Sequence, residues 1–224
     1  MQECGGSADV VANILLRRIK NNAKQAKPDW DSFEHDFKHL LNQLTLENND
    51  APRTAIMRQT IIAHPTFAMA MVDVLSILVD KTSQPTDARL ANALLYPLIA
   101  IRKHFSLKGY DSVAQLVRTN VITLITRLTH SYGSHDDIVD VSGCMLDIFA
   151  NFAIYRPFLN RTGRNLMASS ADYPTAGRGG EVCQDIIVLT SLVNQYADIL
   201  KAKTQYAFCC GSPEVRLAAC NLFT

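Results

Sequence analysis

Glycine and proline are scarce in this 224-residue chain, at 10 and 8 residues, and aromatic side chains make up only 8%. Few turn-formers and a background rich in aliphatics, alanine and methionine favour helices over sheets. No stretch sustains the Val/Thr/Tyr alternation between Asn-Gly or Asp-Gly turns that marks β-hairpins. The expectation is an all-α protein, long enough to bury a substantial core.

An excess of charge is also missing. With 22 basic and 21 acidic side chains the formal net charge is +1, so the molecular field neither demands nor excludes a polyanion. Long hydrophobic runs are absent: "LLYPLIAI", Leu94 to Ile101, falls far short of the ~20 residues a bilayer span needs, and no membrane partner is expected. Framework spacing is lacking among Cys4, Cys144, Cys183, Cys209, Cys210 and Cys220, which points to reduced thiols in a cytoplasmic or nuclear protein, with Cys144 and Cys183 on buried helix faces. The acceptor sequence at Asn160 is discounted because no signal peptide is recognised.

What the chain does have is helix punctuation. Residues 1–27 read as an N-terminal amphipathic helix, with Val10, Val11, Ile14, Leu15 and Ile19 on its apolar face; Glu3 and Asp9 argue against a mitochondrial presequence. Residues 28–224 read as one helical domain. Asp31 with Glu34, and Ser134 with Asp137, have capping-box spacing, and Ser212-Pro213-Glu214 opens another helix. Between the breaks fit about ten helices.

Three long segments resemble one another: "DARLANALLYPLIAIRKHF", "DIVDVSGCMLDIFANFAIY" and "EVCQDIIVLTSLVNQYADIL". Setting Leu95, Leu146 and Leu189 in register puts Asn151 on Asn194, at intervals of 51 and 43 residues, near the ~40–47 residues of stacked helical repeats with a short insertion in one. The first two helices are each followed by a basic, turn-prone stretch running to a glycine, "RKHFSLKGYD" and "RPFLNRTGRN", and the C-terminal "SPEVRLAACNLF" has a proline start, a Val-Arg pair and a double alanine.

That layout resembles the armadillo/HEAT superfamily over roughly residues 85–223, with a divergent repeat before it. The resemblance implies a right-handed α-solenoid, open at its C-terminal end, where Leu217, Cys220, Leu222 and Phe223 are expected to dock on a partner, to self-associate, or to continue into a longer protein of which this chain is a piece. On the second helix Ile138, Val141, Met145, Ile148, Phe149 and Phe152 form an apolar stripe widened by Leu146 and Ala150, leaving Asp140, Asp147 and Asn151 as a polar strip. In nuclear-import adaptors of the armadillo family the corresponding ladder carries asparagines that grip a ligand backbone and tryptophans four residues earlier. Asn151 and Asn194 match the asparagine position, but Asp147 and Thr190 stand at the tryptophan positions and Ala100 replaces the first asparagine. Generic peptide binding is therefore expected through Asp140, Asp147, Asn151 and Asn194, and binding of a nuclear-localisation signal is not.

No chemistry-bearing motif stands out. His35 and His39 share a helix face without a third ligand, and "PTAGRGGE", Pro174 to Glu181, lacks a Walker lysine and follows no strand. Cys209-Cys210 has no basic cluster to activate it. No metal, cofactor or catalytic residue is assigned, and the chain reads as a non-enzymatic scaffold or adaptor for another protein's extended or helical segment. Two alternatives remain. Arg156, Arg161 and Arg164 beside Tyr155 and Phe158 suit a helical RNA-binding protein. A fragment of an importin-β-like nuclear transport receptor is the other.

Overall fold

The computed structural model describes residues 7–45, 52–81, 88–116, 118–152 and 178–209. Nine α-helices and no strand occur among the described residues: α1 (Ala8–Lys24), α2 (Trp30–Thr45), α3 (Pro52–Ala63), α4 (Phe67–Val79), α5 (Ala88–Lys108), α6 (Tyr110–Leu116), α7 (Val121–Tyr132), α8 (Asp136–Asn151) and α9 (Arg178–Cys209). The fold is all-α, as its composition implies. The Ser212 helix start lies outside the described residues.

Several helix starts differ from the sequence reading. Asp29, not Asp31, caps α2: its carboxylate accepts hydrogen bonds from the Ser32 hydroxyl at 2.6 Å and the Ser32 amide at 3.2 Å, which hold it below the usual carboxylate range. Before α8 stands His135 without a side-chain cap bond, so Ser134 is not the cap; the acids of the first turn, Asp136 and Asp137, complement the helix dipole instead. The helix α9 already contains Arg178, Gly179 and Gly180, which the sequence assigns to a loop. Gly109, with φ of 52°, ends α5 in the left-handed conformation that glycine adopts at no steric cost, and its amide donates to the Phe105 carbonyl at 2.8 Å.

On α1 the buried stripe is Ala12, Leu15, Leu16, Ile19, Asn22 and Ala23, whereas Val10 and Ile14, expected on the apolar face, are 48% and 53% exposed. At 100° per residue Ala12, Leu16, Ile19 and Ala23 share one face of α1, and Val10 and Ile14 fall on the opposite one. This stripe joins the same core as the other helices, and α1 packs on α2, α3 and α4.

The helices pack with a periodic order. Helices α1 and α2, α4 and α5, and α7 and α8 form pairs. One row runs α1, α4, α7, and a second runs α2, α5, α8, α9. Short α3 lies against α1 and α2, and short α6 lies equivalently against α4 and α5. The three long helices expected to follow one another, α5, α8 and α9, are successive neighbours in the second row. The covering that α8 needs therefore comes from α5, α7 and α9, which close over Ile138, Val139, Val141, Met145, Leu146 and Phe149.

Two polar clamps tie helices together. The Asn22 side chain donates to the Asp29 carbonyl at 2.8 Å and accepts from the Asp29 amide at 2.9 Å, closing the turn between α1 and α2. Asn22→Ala should leave both Asp29 backbone groups without this partner and lower stability by about 1–3 kcal/mol, measured by urea denaturation. A loss within ~0.3 kcal/mol would mean that water replaces the clamp. The second clamp is His104 on α5, buried against Phe67 with ring centroids 4.8 Å apart. Its Nε2–H donates to the Ile62 carbonyl at 3.2 Å and its Nδ1 accepts from the Ser112 hydroxyl at 2.7 Å, so one imidazole joins α3, α5 and α6. A carbonyl can only accept, which assigns the proton to Nε2.

Candidate functional site

The polar strip on α8 is real surface. Asp140, Asp147 and Asn151 are exposed, as is Asn194 on α9, while Met145 and Phe149 behind them are buried. Asp140, Asp147 and Asn151 recur at helical spacing and share one face of α8. Thr190 is half-buried and its hydroxyl donates to the Ile186 carbonyl at 2.7 Å, so that hydroxyl proton is already committed within α9.

Burial refines the alignment along this row. Leu90, Ala91, Leu94, Leu98 and Ile101 of α5 coincide in burial with Ile138, Val139, Ser142, Leu146 and Phe149 of α8, which sets Leu98 rather than Leu95 opposite Leu146. The shift is close to one helical turn, under which an amphipathic pattern overlays itself. Between α8 and α9 the buried sets match with Met145 on Leu189 and Phe149 on Val193, one residue from the sequence alignment. In that register Gln195 falls at the position of Asn151; it and Asn194 are both exposed. At this contact Gly143 faces α9, where a Cβ would meet an Asp185 carboxylate oxygen at 3.6 Å, ordinary contact distance.

A cleft of about 260 Å3 opens on the same row, between the N-terminal halves of α2 and α5. Trp30, Asp31, Phe33 and Glu34 form one wall and Arg89, Asn92, Ala93 and Tyr96 the other. Its aromatic residues are linked through the core behind it: Trp30 meets Phe33 edge-on at 5.9 Å, Phe33 tilts against buried Phe37 at 4.8 Å, and Phe37 stacks on Tyr96 at 5.6 Å. Lys38 pairs with Glu34 at 2.6 Å and the Tyr96 hydroxyl donates to the same carboxylate; these two bonds, with the nearby charges of Lys38 and Arg89, hold Glu34 ionised below the usual range. Burial, and then the bond to Glu34, push the Tyr96 phenol up to about 12. Glu34 of α2 and Tyr96 of α5 thus hold each other in place across the cleft.

None of these cleft residues stands out in the sequence as a site. Trp30 and Tyr96 come from helices 66 residues apart in the chain, and only packing of α2 on α5 joins them. The signal that bears on it is a glutamate and a tyrosine each set beside buried aromatic or aliphatic positions, which is ordinary in amphipathic helices.

The remaining sequence candidates are dispersed. His35 and His39 are exposed on α2, and among the described residues no three His, Cys, Asp or Glu side chains gather to hold a metal. Asp36, between the histidines, is instead turned inward and pairs with Arg18 at 3.1 Å. Cys144 is a free, half-buried thiol rather than a core residue, because its position faces the edge of the α8 stripe. Arg156, Arg161, Arg164, Cys210 and Cys220 lie outside the described residues, as do the side chains of Cys183 and Cys209. The Ser112–His104 pair has the contact of a nucleophile and base, yet it lies in the core with both groups at most 1% exposed. Among the described residues no single helix is long and apolar enough to cross a membrane. Compared with known proteins, the chain matches no family model, no curated protein and no solved structure.

Proposed function

We propose that this chain is a right-handed α-solenoid of armadillo/HEAT-like repeats, acting in the cytoplasm or nucleus as a non-catalytic scaffold that binds a segment of another protein along the row α2, α5, α8 and α9. The observation that carries this reading is the periodic contact order, in which helix pairs recur and each short helix meets the preceding pair in the same way. Stacked repeats of this kind form a long quasi-one-dimensional surface, suited to an extended ligand rather than a compact one. Along that surface, Asp140, Asp147, Asn151 and Asn194 offer carboxylates and amides, and an asparagine amide can donate to and accept from a peptide backbone at once.

Asp147→Arg and Asn151→Ala are expected to weaken capture of the partner from cell extract while moving stability by no more than ~0.5 kcal/mol, since both side chains are exposed. The capture is read by mass spectrometry with and without nuclease. Recovery that disappears on nuclease treatment would replace the protein-scaffold reading with RNA binding. A large drop in melting temperature for Asn151→Ala would instead mark that residue as structural.

A further inference from the structure

The cleft between α2 and α5 has two unlike walls. On α2 stands Asp31, exposed in the first turn, and among the described residues no hydrogen bond or ion pair engages its carboxylate. Its neighbour Glu34 is occupied by Lys38 and Tyr96, which leaves Asp31 as that wall's acceptor. On α5 stand Arg89 and Asn92, both exposed and rich in N–H donors. Trp30 and Tyr96 add two rings. The core holds one side of each, through Phe33 set edge-on to Trp30 and Phe37 stacked on Tyr96, and both rings line the cleft. With about 260 Å3 of room the cleft suits one flat ring system and is too narrow for a helix.

Charge sets aside the simplest occupants. A cation would meet Arg89 while Glu34 is already paired, and an anion would meet Asp31. An apolar side chain would desolvate Asp31, Arg89 and Asn92 without pairing them, which is costly. The walls instead suit a neutral, planar group with donors along one edge and acceptors along another. A nucleobase stacks on aromatic side chains and is read on two edges. Among the four bases of RNA, guanine alone carries two adjacent donors, N1–H and the exocyclic amine, and its other edge presents the acceptors O6 and N7. A carboxylate takes both donors, and an arginine or an amide donates to O6 and N7. Adenine and cytosine place a ring-nitrogen acceptor beside the amine, where it would oppose the Asp31 oxygen, and uracil has a single ring N–H.

We propose that this cleft binds a guanine base, with Asp31 accepting from N1–H and the exocyclic amine, Arg89 and Asn92 donating to O6 and N7, and the ring lying against Trp30. Sugar and phosphate stay outside in water, so their charge is not set against Asp31. The base comes from a free guanosine nucleotide or from single-stranded RNA, which share this chemistry. The assignment goes beyond the scaffold reading and does not rest on it.

Trp30 is the chain's only tryptophan, so its fluorescence reports on the cleft alone. The full chain is titrated with the monophosphates of guanosine, adenosine, uridine and xanthosine, and with single-stranded uridine pentamers carrying guanosine, adenosine or uridine at the centre. In at least one of the two series guanosine should quench Trp30 saturably, with adenosine and uridine at least about tenfold weaker, the loss expected for one bidentate pair. Asp31→Asn should weaken the guanosine ligand by a similar factor and strengthen xanthosine monophosphate, whose carbonyl stands where guanine has its amine and accepts from the new amide. Arg89→Gln and Asn92→Ala should each weaken guanosine severalfold. Equal response to guanosine, adenosine and uridine, an unchanged guanosine affinity in Asp31→Asn, or silence of Trp30 in both series would overturn the proposal. A selective pentamer bound more tightly than the mononucleotide supports the site and names RNA as the source of the base; the reverse supports it and names a free nucleotide. The scaffold reading is scored separately, by partner capture with Asp147→Arg, and failure of the cleft leaves it standing.

Discussion

Phe37→Ala is expected to lower the unfolding free energy by about 3–5 kcal/mol, the range for truncating a fully buried phenylalanine. Phe37 is 0% exposed, tilts against Phe33 and stacks on Tyr96, so its removal opens a cavity where α2 meets α5. The measurement is the urea midpoint at unchanged m-value. Because Tyr96 loses its stacking partner, the cleft should loosen as well, and Trp30 emission in the folded variant should shift towards that of a solvated indole. A loss below ~1 kcal/mol would show that this junction is not packed as described.

Acidification is expected to destabilise the protein through His104. Burial is the main cause that lowers its pKa below the ordinary imidazole value of 6.5; the neighbouring Lys108 charge acts in the same direction and the bond to the Ile62 carbonyl opposes them. The folded state therefore binds this proton less readily than the unfolded chain. Its contribution to stability is full above the unfolded pKa and is lost as pH falls through 6.5 towards the lower folded value. His104→Gln, which can donate to Ile62 and accept from Ser112 without titrating, should flatten this part of the stability profile. His104→Leu should cost about 1–3 kcal/mol for each of the two buried groups left unpaired, independent of pH. An unchanged slope between pH 7 and 5 in the glutamine variant would assign the acid sensitivity elsewhere.

The helical class was legible because it follows from composition and period, which are local. So was the stripe of α8: Ile138, Val141, Met145 and Phe149 are buried and Asp140, Asp147 and Asn151 are exposed, as their spacing implies. Helix ends were less legible, since Asp29 and Asp31 are equally good caps on paper and only the backbone conformation chooses between them. The register between helices was the least so. An amphipathic pattern nearly repeats after three or four residues, so Leu95 and Leu98 fit opposite Leu146 equally well by sequence, and burial decides for Leu98.

The sequence by itself determined that the chain is helical, that its long helices need cover on more than one side, and which residues of α8 stay polar. These are properties of single segments, set by side-chain chemistry and the helical period. Only the tertiary structure decided that α1 turns Val10 and Ile14 outward, that Asp36 points inward to Arg18, and that His104 bridges three helices. The same holds for the cleft: Trp30, Asp31, Arg89, Asn92 and Tyr96 become one surface because α2 packs beside α5, and a contact between distant segments depends on the shape of both partners, which no local pattern records.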